Sequence, residues 1–179
     1  MKLVWNDAER ADFEAFKKSL TGTLSLQVIH PEWPFVLCTD ASNFAVGAVL
    51  EQVPRVQGMP TLADVSANTT VTLPVAFMSR KMTTPQQKTW TTREKEAYAV
   101  VSALEKWACC IGDNPVLVLT DHRTLEAWAN EIMEDPMGHS GRRARWHLKL
   151  SRFRLTVKYT PGKDNVVADG LSRWAYPAS

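Results

Sequence analysis

Four acidic side chains carry the chemistry open to this sequence: Asp40 in Leu37-Cys38-Thr39-Asp40, Glu96 in Arg93-Glu94-Lys95-Glu96, Asp121 in Leu119-Thr120-Asp121, and Asp169 in Val167-Ala168-Asp169. Hydrolysis of a phosphodiester calls for such a set. Two divalent cations about 4 Å apart must be held by oxygen ligands while positions stay open for the attacking water and the leaving oxygen. Taken singly, each acid has an ordinary structural use: Asp40 can close the Asp-Ala-Ser-Asn turn, Asp121 can cap the helix after it, and Asp169 can be an exposed helix residue. Glu94 competes with Glu96, but Thr91-Thr92-Arg93-Glu94 fits a capping box, which gives Glu94 a structural task. Only as a constellation do the four point to metal-held carboxylates.

The elements that must position them are legible from periodicity. Phe35 to Asp40 suits a buried strand, Ala41-Ser42-Asn43 a turn, and Phe44 to Glu51 a second strand whose Gly47 marks a bulge or a close approach of backbone. A third strand is expected over Leu73 to Ser79. The clearest helix starts at the capping box and runs to Gly112, with Ala97, Val100, Val101, Leu104, Ala108 and Ile111 on one face. Glu96 lies in its first turns, near the border of that stripe. Val116 to Asp121 reads as a central strand with its acid at the exit, followed by a helix over Thr124 to Asn130. A basic helix is expected from Arg142 to Leu150, a strand from Arg154 to Tyr159, and a last short helix from Asn165 to Trp174 with Val166, Val167, Leu171 and Trp174 turned inward. Ahead of these, residues 6 to 21 read as one amphipathic helix, and 53 to 72 as a surface loop or insertion interrupted by proline.

Bulk properties set the frame. With 179 residues, 45% of them hydrophobic and 22% charged, the chain has the balance of one well-buried domain plus a short appendage. No apolar run approaches the roughly 18 to 20 residues that span a bilayer, and the first residues lack an apolar leader core, so no membrane partner is expected. Cys38, Cys109 and Cys110 show no metal-ligand spacing and read as apolar fillers in a reducing compartment. The net charge is only +2, yet Gly141 to Lys163 holds eight Lys or Arg and no Asp or Glu. Such a stretch is either a solvated basic face or the footprint of a polyanion. Arg142, Arg143, Arg145 and Lys149 are the candidates for phosphate contact, whereas Trp146 among them reads as core.

Five blocks together resemble the ribonuclease H domain of Ty3/gypsy-type long-terminal-repeat retrotransposon polyproteins. They are Leu37 to Ser42, Gly47 to Glu51, Arg93 to Val100, Leu119 to His122, and the long block Tyr159 to Arg173, which contains Ala168-Asp169-Gly170-Leu171-Ser172-Arg173. They occur in the family's order across about residues 33 to 174, and the last block is the most specific. Residues 1 to 32 then resemble the end of the segment joining the polymerase to this domain, with the ribonuclease H domain over 33 to 179 and its insertion at about 53 to 72.

The resemblance implies an α/β protein with the RNase H-like fold, a mixed five-stranded sheet flanked by helices. It places the family's Asp-Glu-Asp-Asp set on Asp40, Glu96, Asp121 and Asp169, with Ala103-Leu104 following Glu96 at the family's offset. It further implies two Mg²⁺ ions per site, for which Mn²⁺ substitutes, with Asp40 bridging them. The substrate it implies is the RNA strand of an RNA·DNA hybrid, and the products carry 5′-phosphate and 3′-hydroxyl ends. The partners implied are the hybrid and the polymerase domain of the parent polyprotein, in the cytoplasm within virus-like particles. One departure stands out: the mobile histidine of many relatives, ten residues before the last aspartate, is Tyr159 here. A phenol is a poor acid or base near neutral pH, so slower turnover is expected. His139, in Gly138-His139-Ser140-Gly141, is the auxiliary candidate that could reach the site, whereas His122 reads as structural. Two other readings stay open: a non-catalytic RNase H-like module that only holds nucleic acid or protein, and a transposase or integrase of the same general fold.

Overall fold

In a computed structural model, the protein is described at residues 26–55, 71–127 and 142–173, with isolated positions at 10, 11, 14, 62 and 65. The side chains of Arg142 and Arg143 fall outside that description, as does most of the expected lead-in helix and of the 53 to 72 insertion. Five strands form one sheet: β1 (Phe35–Ala41), β2 (Ala45–Gln52), β3 (Leu73–Lys81), β4 (Val116–Thr120) and β5 (Leu155–Tyr159). Their order is β3-β2-β1-β4-β5. The first three pair antiparallel, as a meander with short connections permits, while β4 and β5 join parallel to β1 and to each other. Parallel neighbours need long crossovers. The crossovers here carry helices α1 (Thr84–Thr89), α2 (Thr92–Lys106) and α3 (Ala108–Ile111) before β4, and α4 (Arg142–Leu150) before β5. Helix α5 (Val166–Arg173) follows β5 after a 3₁₀ turn at Gly162–Asp164. The mixed five-stranded sheet with helices is the architecture that the resemblance implied.

The sheet's pleat divides the core. Phe35 and Leu37 of β1 join Val46, Ala48 and Leu50 of β2 and meet Ala97, Val100, Val101 and Leu104 of α2, with Trp146 and Leu150 of α4 closing the layer. Trp146 is core, as expected, edge-on to Trp90 at 5.7 Å between ring centres. On the opposite face Val36, Leu117 and Leu119 pack with Val53 and Val65, and Cys38 lies against them. Burial and the neighbouring Glu51 push the Cys38 thiol up to about 12, so it behaves as the inert filler its context suggested. No helix among the described residues is long and apolar enough to cross a membrane.

Cys109 and Cys110, expected as apolar fillers, are exposed on α3 because they face away from the sheet-side residue Ile111, and three further expectations need correction. The helix from Thr91 to Ile111 is interrupted at Trp107, which caps α2 and lets the short α3 turn toward Gly112. Thr84–Thr89, to which no element was assigned, is a helix with Pro85 in its first turn, where the missing N–H costs nothing. The third concerns α5. Val166 and Val167, expected inside, are 65% and 55% exposed, and Ala168 and Ser172 face the sheet instead. The reason is close approach: α5 lies so near β2 that only small side chains fit beneath it. Trp174 lies outside the described residues.

Candidate active site

Each carboxylate is delivered by a different element. Asp40 is the penultimate residue of β1, the central strand, and is 3% exposed. Asp121 follows the last residue of β4, and because Thr39 pairs with Thr120, the two acids leave adjacent parallel strands side by side. Glu96, 4% exposed, stands in the second turn of α2, which packs across β1. One oxygen from each of these three lies within 4.8 Å of the others.

Asp169 comes from α5 and stands outside that trio. Its Oδ1 accepts a 2.5 Å bond from Arg173 Nε one turn on, yet its charge is felt at Asp40. Its helix is seated by several bonds. Ser42 and Ser79 hydroxyls donate to the carbonyls of Ser172 and Leu171, both at 2.7 Å, and Asn165 Nδ2 donates to the Thr39 carbonyl at 2.8 Å. Ser172 Oγ donates to Asp40 Oδ2 and so ties α5 to the cluster.

Crowding of anions in a poorly hydrated place shows in their titration. Burial first, then Asp40 and Asp121, push the Glu96 carboxyl up to about 9. Burial likewise raises Asp40, with Asp121 and Asp169 adding to the rise and the Ser172 hydroxyl and Arg173 opposing it. Glu96 Oε2 is buried without a hydrogen-bond partner. A buried carboxylate oxygen left unpaired is costly, and a hard cation with oxygen ligands is the partner that repays it. The donor set therefore fits Mg²⁺ or Mn²⁺.

Glu94 is where the capping box put it: its Oε2 accepts from the Thr91 N–H at 2.9 Å, and Thr91 Oγ1 accepts from the Glu94 N–H at 3.3 Å. Glu94→Gln is expected to leave metal-dependent activity within about twofold, whereas Thr91→Ala costs about 1 kcal/mol in urea unfolding by removing the cap. Activity lost with Glu94 rather than with Glu96 would reverse the assignment.

The remaining candidates divide. Tyr159 ends β5 opposite Thr120, next to Asp121. His122 Nδ1 bonds Thr124 Oγ1 at 2.8 Å, a local structural contact. Arg145 is exposed on α4, while Lys149, a candidate for phosphate, pairs with Glu105 of α2 at 2.7 Å. His139 lies outside the described residues, and of Arg142 and Arg143 only the backbone is described. Sequence reasoning gave no role to Ser172 and Arg173. Their signal was their place three and four residues after Asp169, the spacing that sets side chains on one helical face.

Comparison with known proteins places this geometry in a family. Residues 30–153 match the model of the RNase H-like domain found in reverse transcriptase. The retrovirus-related Pol polyprotein from transposon 297 of Drosophila melanogaster is 31% identical over 161 residues, which is 90% of this chain and 13% of that protein. The transposon Tf2-3 polyprotein of Schizosaccharomyces pombe is 30% identical over 171 residues, 94% of this chain and 12% of that protein. The chain thus spans about an eighth of the curated relatives it matches. Among solved structures, the foamy viral protease-reverse transcriptase dRH aligns in its complex with double-stranded DNA (TM-score 0.53, 19% identity, 87% of this chain and 25% of that one). The foamy viral protease-reverse transcriptase also aligns in its complex with RNA/DNA hybrid (TM-score 0.51, 20% identity, 87% and 19%). With the family model covering more than half of its length and its relatives being Ty3/gypsy-type transposon polyproteins, the chain belongs to the RNase H-like domain family of retrotransposon reverse transcriptases.

Proposed function

We propose that this chain is a metal-dependent endonuclease that hydrolyses the RNA strand of RNA·DNA hybrids during reverse transcription, leaving 5′-phosphate and 3′-hydroxyl ends. The observation that carries the reading is the convergence of Asp40, Glu96 and Asp121, from three separate elements, to within 4.8 Å, with Asp169 near enough for its charge to raise Asp40. These four would hold two Mg²⁺ ions, or Mn²⁺ in their place. Bound there, the ions would supply Lewis acidity to the attacking water and charge neutralisation to the departing 3′ oxygen. The chain's own part is to fix the ligands. Ser172 orients Asp40, α2 presents Glu96, and burial of both carboxylates keeps bulk water from them. Selection of the hybrid rests on phosphate contacts and on 2′-hydroxyls across its minor groove, so sequence preference should be weak. In its parent polyprotein the domain would follow a polymerase and act in the cytoplasm, within the element's virus-like particles.

Incubation of labelled hybrid with Mg²⁺ or Mn²⁺ tests the reading, with Asp121→Asn as control. Cutting confined to the RNA strand, dependent on metal and reduced at least about 10²-fold in the control, is the expected outcome. Equal cutting by the control, or none by the native chain, would leave the non-catalytic alternative standing.

A further inference from the structure

Tyr159 replaces the histidine that the resemblance leads one to expect, and its surroundings suggest a different use for the position. Tyr159 is the last residue of β5 and pairs with Thr120 of β4, while the Thr160 N–H donates to the Thr120 carbonyl at 2.8 Å. The turn that follows presses on the acid cluster: a Cβ on Gly162 would lie 3.1 Å from Asp121 Oδ2. Two residues after Asp121, Arg123 opens a helical turn over 123–127 and is exposed. Its guanidinium carbon sits 4.7 Å from the centre of the Tyr159 ring. A cation stacked on an aromatic face thus stands two residues along the chain from Asp121, held by the strand that pairs with β4.

The kind of partner matters. A carboxylate would hold an arginine by cancelling its charge; a ring holds it and leaves the charge and its five donors available. Among the described residues no ion pair is formed by Arg123, whereas Arg173 is bound to Asp169 and Lys149 to Glu105. A cluster of acids repels a polyanion at short range, and a guanidinium that keeps its charge, carried two residues beyond Asp121, offsets that repulsion.

We propose that Arg123 is a phosphate clamp for the strand that enters the acid cluster and that Tyr159 is its positioning residue, a platform rather than a proton carrier. This rests on the nuclease reading for the identity of the substrate, a nucleic-acid backbone. It accounts for a ring without imidazole chemistry at a place next to Asp121.

Three variants test it, by anisotropy of labelled hybrid with Ca²⁺ replacing Mg²⁺, and separately by cleavage. Arg123→Ala and Tyr159→Ala should each weaken hybrid binding about tenfold and lower the salt slope by about one phosphate contact, and the double variant should be no weaker than either. In cleavage the loss should fall on KM rather than kcat. Tyr159→Phe, which keeps the ring, should stay within about twofold of the native chain in both assays. Loss of kcat in Tyr159→Phe with binding intact overturns the platform, because it assigns the hydroxyl to the chemistry. Native-like binding and salt slope in Arg123→Ala overturn the clamp. If Tyr159→Ala fails to fold, Arg123→Ala and Tyr159→Phe still decide. Hybrid binding that depends on Arg123 in a chain that never cuts would refute the nuclease reading and leave the clamp intact.

Discussion

Glu96→Gln should lose metal-dependent hybrid cleavage by about 10² to 10³-fold and, in metal-free buffer above neutral pH, unfold at higher urea than the native chain. The two effects have one cause. Burial first, then Asp40 and Asp121, raise the Glu96 carboxyl from an ordinary value of 4.5 to about 9. A raised folded-state value means the native chain binds a proton there that the unfolded chain has already released. That stability is complete below about pH 4.5 and is lost as pH rises toward about 9, with a limiting slope of about 1.4 kcal/mol per pH unit for one proton. Asp40 is raised in the same sense and adds its own share. Gln removes the Glu96 part of the slope because it carries no charge to bury. Divalent metal reverses the sign for the native chain, since the ion takes the carboxylate form and its stabilisation grows with pH. Urea midpoints at about pH 5 and about pH 8.5, with EDTA or Mg²⁺, read all of this. A native chain that gains stability with pH in EDTA contradicts the buried cluster. A Gln variant that still cuts removes Glu96 from the site.

What the sequence disclosed about this site follows the range of the interactions involved. Asp40 and Asp121 were legible because each ends an apolar run, and a run of Val and Leu is a strand signal that depends only on neighbours. Glu94 and Glu96 were separable because a capping box is a four-residue device. The end of α2 was less so, since Trp107 has ordinary apolar character and its break depends on what it packs against. The inward face of α5 was misread for the same kind of reason. Val166 and Val167 look like core until β2 is known to bring Gly47 up to the helix backbone, a contact between residues more than a hundred positions apart. Arg123 on Tyr159 was likewise invisible, being made when β5 docks beside β4. Asp169 was located through the resemblance of its block. Its bond to Arg173 was within reach of helical spacing but had no feature to single it out.

Among the described glycines, Gly47→Ala should be the most damaging change to alanine, because it strikes the seat of α5. A Cβ at position 47 would lie 2.2 Å from the Ala168 carbonyl oxygen, 2.6 Å from the Ser172 nitrogen and 2.9 Å from the Leu171 Cβ. Two of those atoms are helix backbone, so no rotamer change relieves the clash and the helix must move as a body. Gly47 pairs with Asp40 across β1 and β2, which puts the added methyl beside the cluster itself. Displacing α5 strains the Ser42 and Ser79 bonds to its carbonyls and the Ser172 bond to Asp40, and it carries Asp169 away from the other carboxylates. The expected cost is about 3 kcal/mol in urea unfolding, at the upper end for overpacking, together with loss of cleavage beyond what instability explains at saturating Mg²⁺. Gly170→Ala on the same helix is the control. Nothing lies within 4 Å of a Cβ there, and a helical glycine gains about 0.5 to 1 kcal/mol on becoming alanine. Opposite signs for two glycine-to-alanine changes, one beneath α5 and one on its open side, would tie activity to the seating of that helix. Equal effects would mean that α5 does not rest on Gly47 at all.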